Sequence, residues 1–439
     1  MRKSIIATFI ATAFVSLNAG ASDLLQIYKE ALVNDAQFSS ARAAKLAGQE
    51  RSVQGRAGLL PRVGLSGGVN KSHSEFDPDI GKTTTNNSTS RSMTLSLSQP
   101  LFNLGSWETY EQSKLSVIAS DLQFASAEQD LMLRVSQAYF DVLASENSLK
   151  TLQAQKVAVA EQLASAKRNF EVGTATITDT HEAQSQFDLI TAQELAGQGD
   201  LEVKRAALRQ IIGKDAGDLA KLKEGVQLAA PVPAQVNDWV ASAEKQNFGV
   251  SASQVSLEIA QREIKKSRSG HLPTIDLSAS TGRSTGSTIA NMPSGVSKPT
   301  SIGVSVNIPI FSGMATDSRV KESIALEDKA RNDLETARRS AAQAARQSYT
   351  GVVSGLAQIK AFEAAEISSQ SALDSTKLGY QVGVRINIDV LNAQQKLSNT
   401  RQSLAKARYD SIMSGLRLKA AAGGLKEADL AEVNALLTQ

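Results

Sequence analysis

The sequence predicts an α+β membrane protein assembled from two tandem copies of one unit, and three observations predict it. One phrase is written twice, each copy carries a helical run too long for a globular domain, and each pairs that run with short alternating strands. The phrase is "FEVGTATITDTHEAQ" at residues 170 to 184 and "YQVGVRINIDVLNAQ" at 380 to 394, with Val, Gly, Asp, Ala and Gln at matching places. Sliding the 439-residue chain on itself by about 210 positions aligns more of it. "SQAYFDVL" meets "RQSYTGVV", Pro100-Leu101-Phe102 meets Pro309-Ile310-Phe311, and Leu60-Pro61 meets Leu272-Pro273.

At the start of the chain, Arg2 and Lys3 precede an apolar run from Ile5 to Leu17 and then Ala19-Gly20-Ala21, the small-residue pattern of a signal-peptidase site. Residues 1–21 therefore read as a signal peptide, with Ser22 as the mature start. Its removal lowers the formal charge from +3 to about +1, which offers no basic footprint for nucleic acid. The chain has no Cys, hence no disulfide, thiolate metal site or lipidated N-terminal Cys, and its three His are scattered. No other stretch has the 18 or so apolar residues of a membrane-spanning helix.

Residues 22–213 form the first copy and 237–424 the second, separated by 214–236 and followed by 425–439. Each copy opens with a helical stretch, N-capped at Ser22-Asp23 or Asn237-Asp238 and closed at "GLLP" or "GHLP". Two strands follow. Met93, Leu95 and Leu97 alternate with Ser and Thr in the first copy; Ile302, Val304, Val306 and Ile308 alternate with Ser, Gly and Asn in the second. Weaker strands precede them, around Val63, Leu65 and Val69 and around Ile275, Leu277 and Ala279. Polar segments near 71–91 and 283–299 read as the hairpin loops between the pairs.

After Pro100 and Pro309 a helical pattern holds for roughly 65 residues, on the order of 100 Å. Leu115, Ile118, Leu122, Ala125, Gln129, Met132, Ser136, Tyr139 and Leu143 keep the three-four spacing of a coiled-coil seam. The repeated phrase is where this helix turns back into a second of about 35 residues, whose seam runs through Val390, Ala393, Leu397, Thr400, Leu404, Ala407 and Leu418. Gly173 and Gly383 supply the backbone freedom of the turn.

Four strands cannot close a barrel, and an open sheet in lipid leaves two unsatisfied edges, so strands that span a membrane need other copies of the chain. Two, three or four copies would give 8, 12 or 16 strands. Ser, Thr, Gly and Asn opposite the apolar face suit a water-filled interior. With the export signal and the long helices, this points to an outer-membrane barrel with a helical tube below it.

The doubled turn, "GHLPTIDLSASTG" (270 to 282) and "ARYDSIMSGLRLKAAAGGL" (407 to 425) resemble the TolC-like outer-membrane efflux protein family across essentially the whole mature chain. The resemblance implies a homotrimer: a 12-stranded β-barrel, four strands per protomer, continued by a 12-helix coiled-coil α-barrel, with an equatorial belt at 214–236 and 425–439. It implies the exit duct of a tripartite export system, serving type I protein secretion or multidrug efflux. The partners implied are a periplasmic adaptor, an inner-membrane ABC or proton-driven pump, and outer-membrane lipid.

It also assigns the tip. Val172, Gly173, Thr174, Val382, Gly383 and Val384 match the adaptor-docking turns. Asp389 matches the constriction-ring aspartate, and Asn392 stands where some relatives carry a second one, so the ring should bind cations less strongly. Tyr380 and Arg385 match the closed-state tethers, with Asp179 as acceptor and Thr178 assisting. Asp179 and Asp389 could equally serve as helix N-caps or first-turn acids. His181 reads as a solvated tip residue, and Trp107 as a membrane-interface anchor or equatorial packing. No nucleophile elbow, phosphate loop or His/acid cluster suggests an enzyme, a cofactor or a metal. The alternative is a periplasmic coiled-coil adaptor, which shares the long helices and export signal but not the paired strands.

Overall fold

The computed structural model of the protein describes residues 21–223, 225–286 and 295–438. The expected signal peptide, apart from Ala21, and the centre of the second hairpin loop lie outside the described residues.

Where the sequence suggests one opening helix, the chain forms two, α1 (Leu24–Asn34) and α2 (Ala36–Ala57). Asp35 breaks them apart, its carboxylate accepting from the Phe38 amide at 2.6 Å and from the Arg134 guanidinium at 3.0 Å. Burial pushes the Asp35 carboxyl up, but these hydrogen bonds outweigh it and hold the group below the usual carboxylate range. Asp23 caps α1 through the Gln26 amide. The same corner recurs between α5 (Val236–Gln246) and α6 (Phe248–Arg268), where Asn247 caps α6 through the Gly249 and Val250 amides. Asn237 and Asp238 are not its cap; they lie inside α5, which starts after Gln235 without a side-chain cap.

Among the described residues five strands follow these pairs: β1 (Arg62–Phe76), β2 (Thr84–Phe102), β3 (Thr274–Gly286), β4 (Gly295–Ser297) and β5 (Thr300–Asn307). The long ones lie in the order β1-β2-β3-β5, all antiparallel, with β4 on the outer end of β3. The expected loop at 71–91 is mostly strand. Pairing runs out to Phe76 and Thr84, leaving 77–83 as the turn, and His73 Nδ1 meets Asn87 Oδ1 across the pair at 2.7 Å. Polar residues on both faces hid this stretch from a reading that looks for apolar alternation.

Near the helical ends of the strands the register gathers apolar residues on one face. Val63 faces Leu97, Leu97 faces Ala279 and Ala279 faces Ile302; in the row on one side Leu65 faces Leu95, which meets Thr281, and in the row on the other side Leu277 lies between Gln99 and Val304. The opposite face carries Gly64 with Ser96, Ser96 with Ser280, and Ser280 with Ser301. A continuous apolar stripe thus crosses all four long strands, with Ser and Gly behind it, and Val63, Leu65, Val304 and Val306 are all exposed. Among the described residues nothing pairs β1 with β5, so the sheet is open.

The strands meet their helices at one end, where Arg62 pairs with Ser98, Phe102 with Ile275 and Thr274 with Asn307. From there run α3 (Leu104–Glu171, 68 residues) and α7 (Ala315–Gln381, 67 residues), each returned by a shorter helix, α4 (Ile177–Ile212) and α8 (Asn387–Ala421). No described helix is long and apolar enough to cross a membrane. Trp107 stands half exposed near the top of α3, edge-on to Tyr110 and far from the equatorial core.

The predicted seam of α3 is buried from Gln129 to Leu143, but Ile118 above it is exposed. At that level the contact is made by small residues instead. A Cβ on Gly48 would lie 2.1 Å from Ser120 Oγ, so α2 and α3 approach too closely for any side chain there. The main core gathers Leu24, Ile27, Tyr28, Tyr139, Phe140, Leu208, Leu416 and Leu430, the last from α9 (Glu427–Asn434). Beside it Ser22 bridges to Leu219 and Leu222 to Leu437, tying the chain start, the linker and the C-terminal segment together.

Candidate functional site

At the ends of α3 and α7 furthest from the sheet, two turns of the same construction carry the predicted tip residues. Gly173 and Gly383 are left-handed, with φ of 77° and 80°. The Gly173 amide donates to Phe170 O and the Thr174 amide to Asn169 O; likewise Gly383 donates to Tyr380 O and Val384 to Gly379 O. These bonds satisfy the last carbonyls of each long helix, and only glycine takes that φ without strain. Val172, Val382 and Val384 stand exposed around them.

Beyond the turns the two copies diverge. Thr176 caps α4 in a capping box: its hydroxyl accepts from the Asp179 amide at 3.2 Å, while Asp179 Oδ2 accepts from the Thr176 amide at 2.9 Å and from its hydroxyl at 2.8 Å. Asp179 is thus a capping residue within the chain, with Thr178 exposed beside it. Ile386 precedes α8 and provides no side-chain cap, so Asp389 is a first-turn acid rather than a cap. Arg385 Nη1 lies 3.7 Å from Asp389 Oδ2, and its aliphatic stem passes over Gly379. Asn392 is exposed, three residues further along α8. His181 lies two residues past Asp179, and no cluster of three possible metal ligands occurs among the described residues.

Tyr380 and Arg385 are not joined to Asp179 inside one chain. Tyr380 Oη instead accepts from Asn169 Nδ2 at 3.2 Å, a contact from α3 to α7 that the sequence reading missed. The signal was available: Asn169 aligns with Gly379, so its side chain has no counterpart in the second turn. Two further polar links join the coils, Gln155 with Gln395 and Arg417 Nη2 donating to Gln137 Oε1 at 2.7 Å. Leu391, with Ile388, packs into Val159, Leu163, Ala183 and Ile190 of the first coil. Inside each coil the links are ionic, Lys156–Glu194 and Arg205–Glu146 in one, Arg401–Glu366 and Arg408–Glu363 in the other. Among the described residues no ion pair crosses from coil to coil. Each hairpin is therefore tied internally by ion pairs, while the two coils are joined by apolar packing and a few neutral polar links.

The strand set carries an apolar row across its four long strands, and the far tip is built from two glycine turns, the framework of the outer-membrane channels that the chain matches. Residues 27–214 and 239–424 each match the outer membrane efflux protein family, and the chain belongs to it. Outer membrane protein TolC of Vibrio cholerae is 33% identical over 437 residues, 99% of this chain and 98% of that protein. Alkaline protease secretion protein AprF of Pseudomonas aeruginosa is 33% identical over 435 residues, 96% and 89% of the two chains. The solved Campylobacter jejuni CmeC outer membrane channel superposes with a TM-score of 0.80 at 18% identity, over 95% of this chain and 90% of that one, which shows the fold. The protein is an outer-membrane exit duct of the Gram-negative envelope with its helices in the periplasm, and not an enzyme or a coiled-coil adaptor.

Proposed function

We propose that three copies of the chain, each a tandem pair of structural repeats, close one twelve-stranded barrel continued by a twelve-helix tunnel. The single observation that carries closure by further copies is the open sheet, and the number three is what membership of the family implies. Its apolar stripe belongs in lipid, and lipid cannot tolerate the bare edges of β1 and β5, so β5 of one copy pairs with β1 of the next. Ser, Gly and Thr then line a water-filled lumen.

The tip is the periplasmic entrance. Three copies of Asp389 form a cation-attracting ring, made less negative by Asn392. Tyr380 Oη accepts from Asn169 within its own chain and keeps its O–H to donate, so Tyr380 and Arg385 can both reach the Asp179 and Thr178 face of a neighbouring copy. A periplasmic adaptor docks on Val172–Thr174 and Val382–Val384, and an inner-membrane ABC or proton-driven pump delivers the substrate. The relatives named for protease secretion favour type I protein secretion, with multidrug efflux open to the same duct.

Purified in detergent, the protein is expected at the mass of a trimer, with a small conductance in a planar bilayer that divalent cations block. Asp389→Ala should lose the block and Asn392→Asp strengthen it. A monomer that conducts in no condition would overturn the proposal.

A further inference from the structure

Among the described residues of the tip, two polar groups are hidden without a bond, the Thr180 hydroxyl and the Asn387 amide, and of the two residues Asn387 is the one buried as a whole. It is 2% exposed, and neither its Nδ2 nor its Oδ1 has a hydrogen-bonding partner among the described residues. In the first turn the aligned residue is Ile177, which is 47% exposed. The second turn thus buries an amide where the first leaves an isoleucine in water, the reverse of what transfer energies favour. Its own chain already covers Asn387.

Its position in the helix adds a second observation. Asn387 is the first residue of α8, and the cap position before it is held by Ile386, which has nothing to offer the free amides of the first turn. Asn is among the best N-cap residues and Ile among the poorest. If α8 began one residue later, Asn387 would become the cap. Its side chain would accept from the Asp389 or Val390 amide and the buried, unpaired state would end. Ile386 and Arg385 would be released by the same step, and Asp389 would move one place closer to the helix start.

We propose that the first turn of α8 is a two-state element with Asn387 as its positioning residue: buried at the first helical position in the observed register, and capping the helix in a second register that accompanies opening of the entrance. The inference rests on the reading of this tip as the entrance. The cost of the unpaired amide biases the turn toward release, while the Asn169 bond to Tyr380 and the seating of Ile388 and Leu391 against the first coil hold it.

Two readouts separate this from the duct reading itself. The first is hydrogen exchange at the amides of 387–391 in the purified protein. Asn387→Leu, which removes the amide at similar volume, and Ile386→Ser, which caps the observed register, should each slow exchange about tenfold, the equivalent of ~1.4 kcal/mol. Asn387→Ser, still a competent cap, should exchange within about twofold of the wild type by the ranking of caps. The second is conductance in a Tyr380→Phe, Arg385→Ser background, which Asn387→Leu should lower and Asn387→Ser leave unchanged. Wild-type exchange in Asn387→Leu, or equal slowing in Asn387→Ser, would overturn the proposal. Absence of conductance in every variant would instead count against the duct, while the exchange data still decide the two-state turn.

Discussion

At Gly173 and again at Gly383 the chain makes the same reversal, with φ within 3° and the same two carbonyls accepting, yet the helix that follows is sealed in one case and bare in the other. In the first turn Thr176 and Asp179 spend their hydrogen-bonding capacity on each other. In the second, aligned positions carry Ile386 and Asp389; Asp389 meets only Arg385, at 3.7 Å, and Tyr380 accepts from Asn169, so these side chains keep hydrogen-bonding capacity for groups outside the turn. Glycine and the helix-end carbonyls fix the backbone in both; the side chains decide which turn is closed on itself and which one works.

The strongest way to test the shared half of that comparison is to attack the backbone. Gly173→Val and Gly383→Val each force a side chain into a left-handed conformation at a cost of about 1–2 kcal/mol or more. Neither Cβ would meet an atom within 4 Å, so the two losses should be equal. Unequal losses in local stability by hydrogen exchange would show that the turns are not equivalent.

The divergent half predicts asymmetry. Thr176→Ala should destabilise the start of α4 by about 1 kcal/mol, the usual value of a lost N-cap. Ile386→Ala should change α8 within about 0.5 kcal/mol, as expected of an exposed surface position. Exchange at the first-turn amides of each helix reads both. A smaller effect is expected from Asp389→Asn, about 0.3–1 kcal/mol from lost interaction with the helix dipole. Its exposed pair with Arg385 adds little, so the change should shrink in high salt.

How much of this was legible depends on what each residue signals alone. Gly173 and Gly383 announce themselves, because a left-handed turn needs glycine and the phrase is written twice. Asp35 and Asn247 were equally readable as caps, and were passed over because the helical pattern continues on both sides of them. The outer halves of β1 and β2 were hidden by Lys71, His73 and their neighbours, which are polar on both faces. Ser113 and Ser120 carry the α2–α3 contact, and small residues leave no hydrophobic period to count. Asn387 could not have been found, since its burial is imposed by how Ile388 and Leu391 seat α8 on another coil 200 residues away in sequence.

The central claim is that Tyr380 and Arg385 of the second turn hold the entrance and that the Thr176 cap of the first turn does not, and single-channel conductance tests it most directly. Tyr380→Phe combined with Arg385→Ser should raise the conductance several-fold, while Thr176→Ala, which weakens only the cap of the first turn, should leave it at the wild-type level. No rise in the double variant, or an equal rise in Thr176→Ala, would contradict the account.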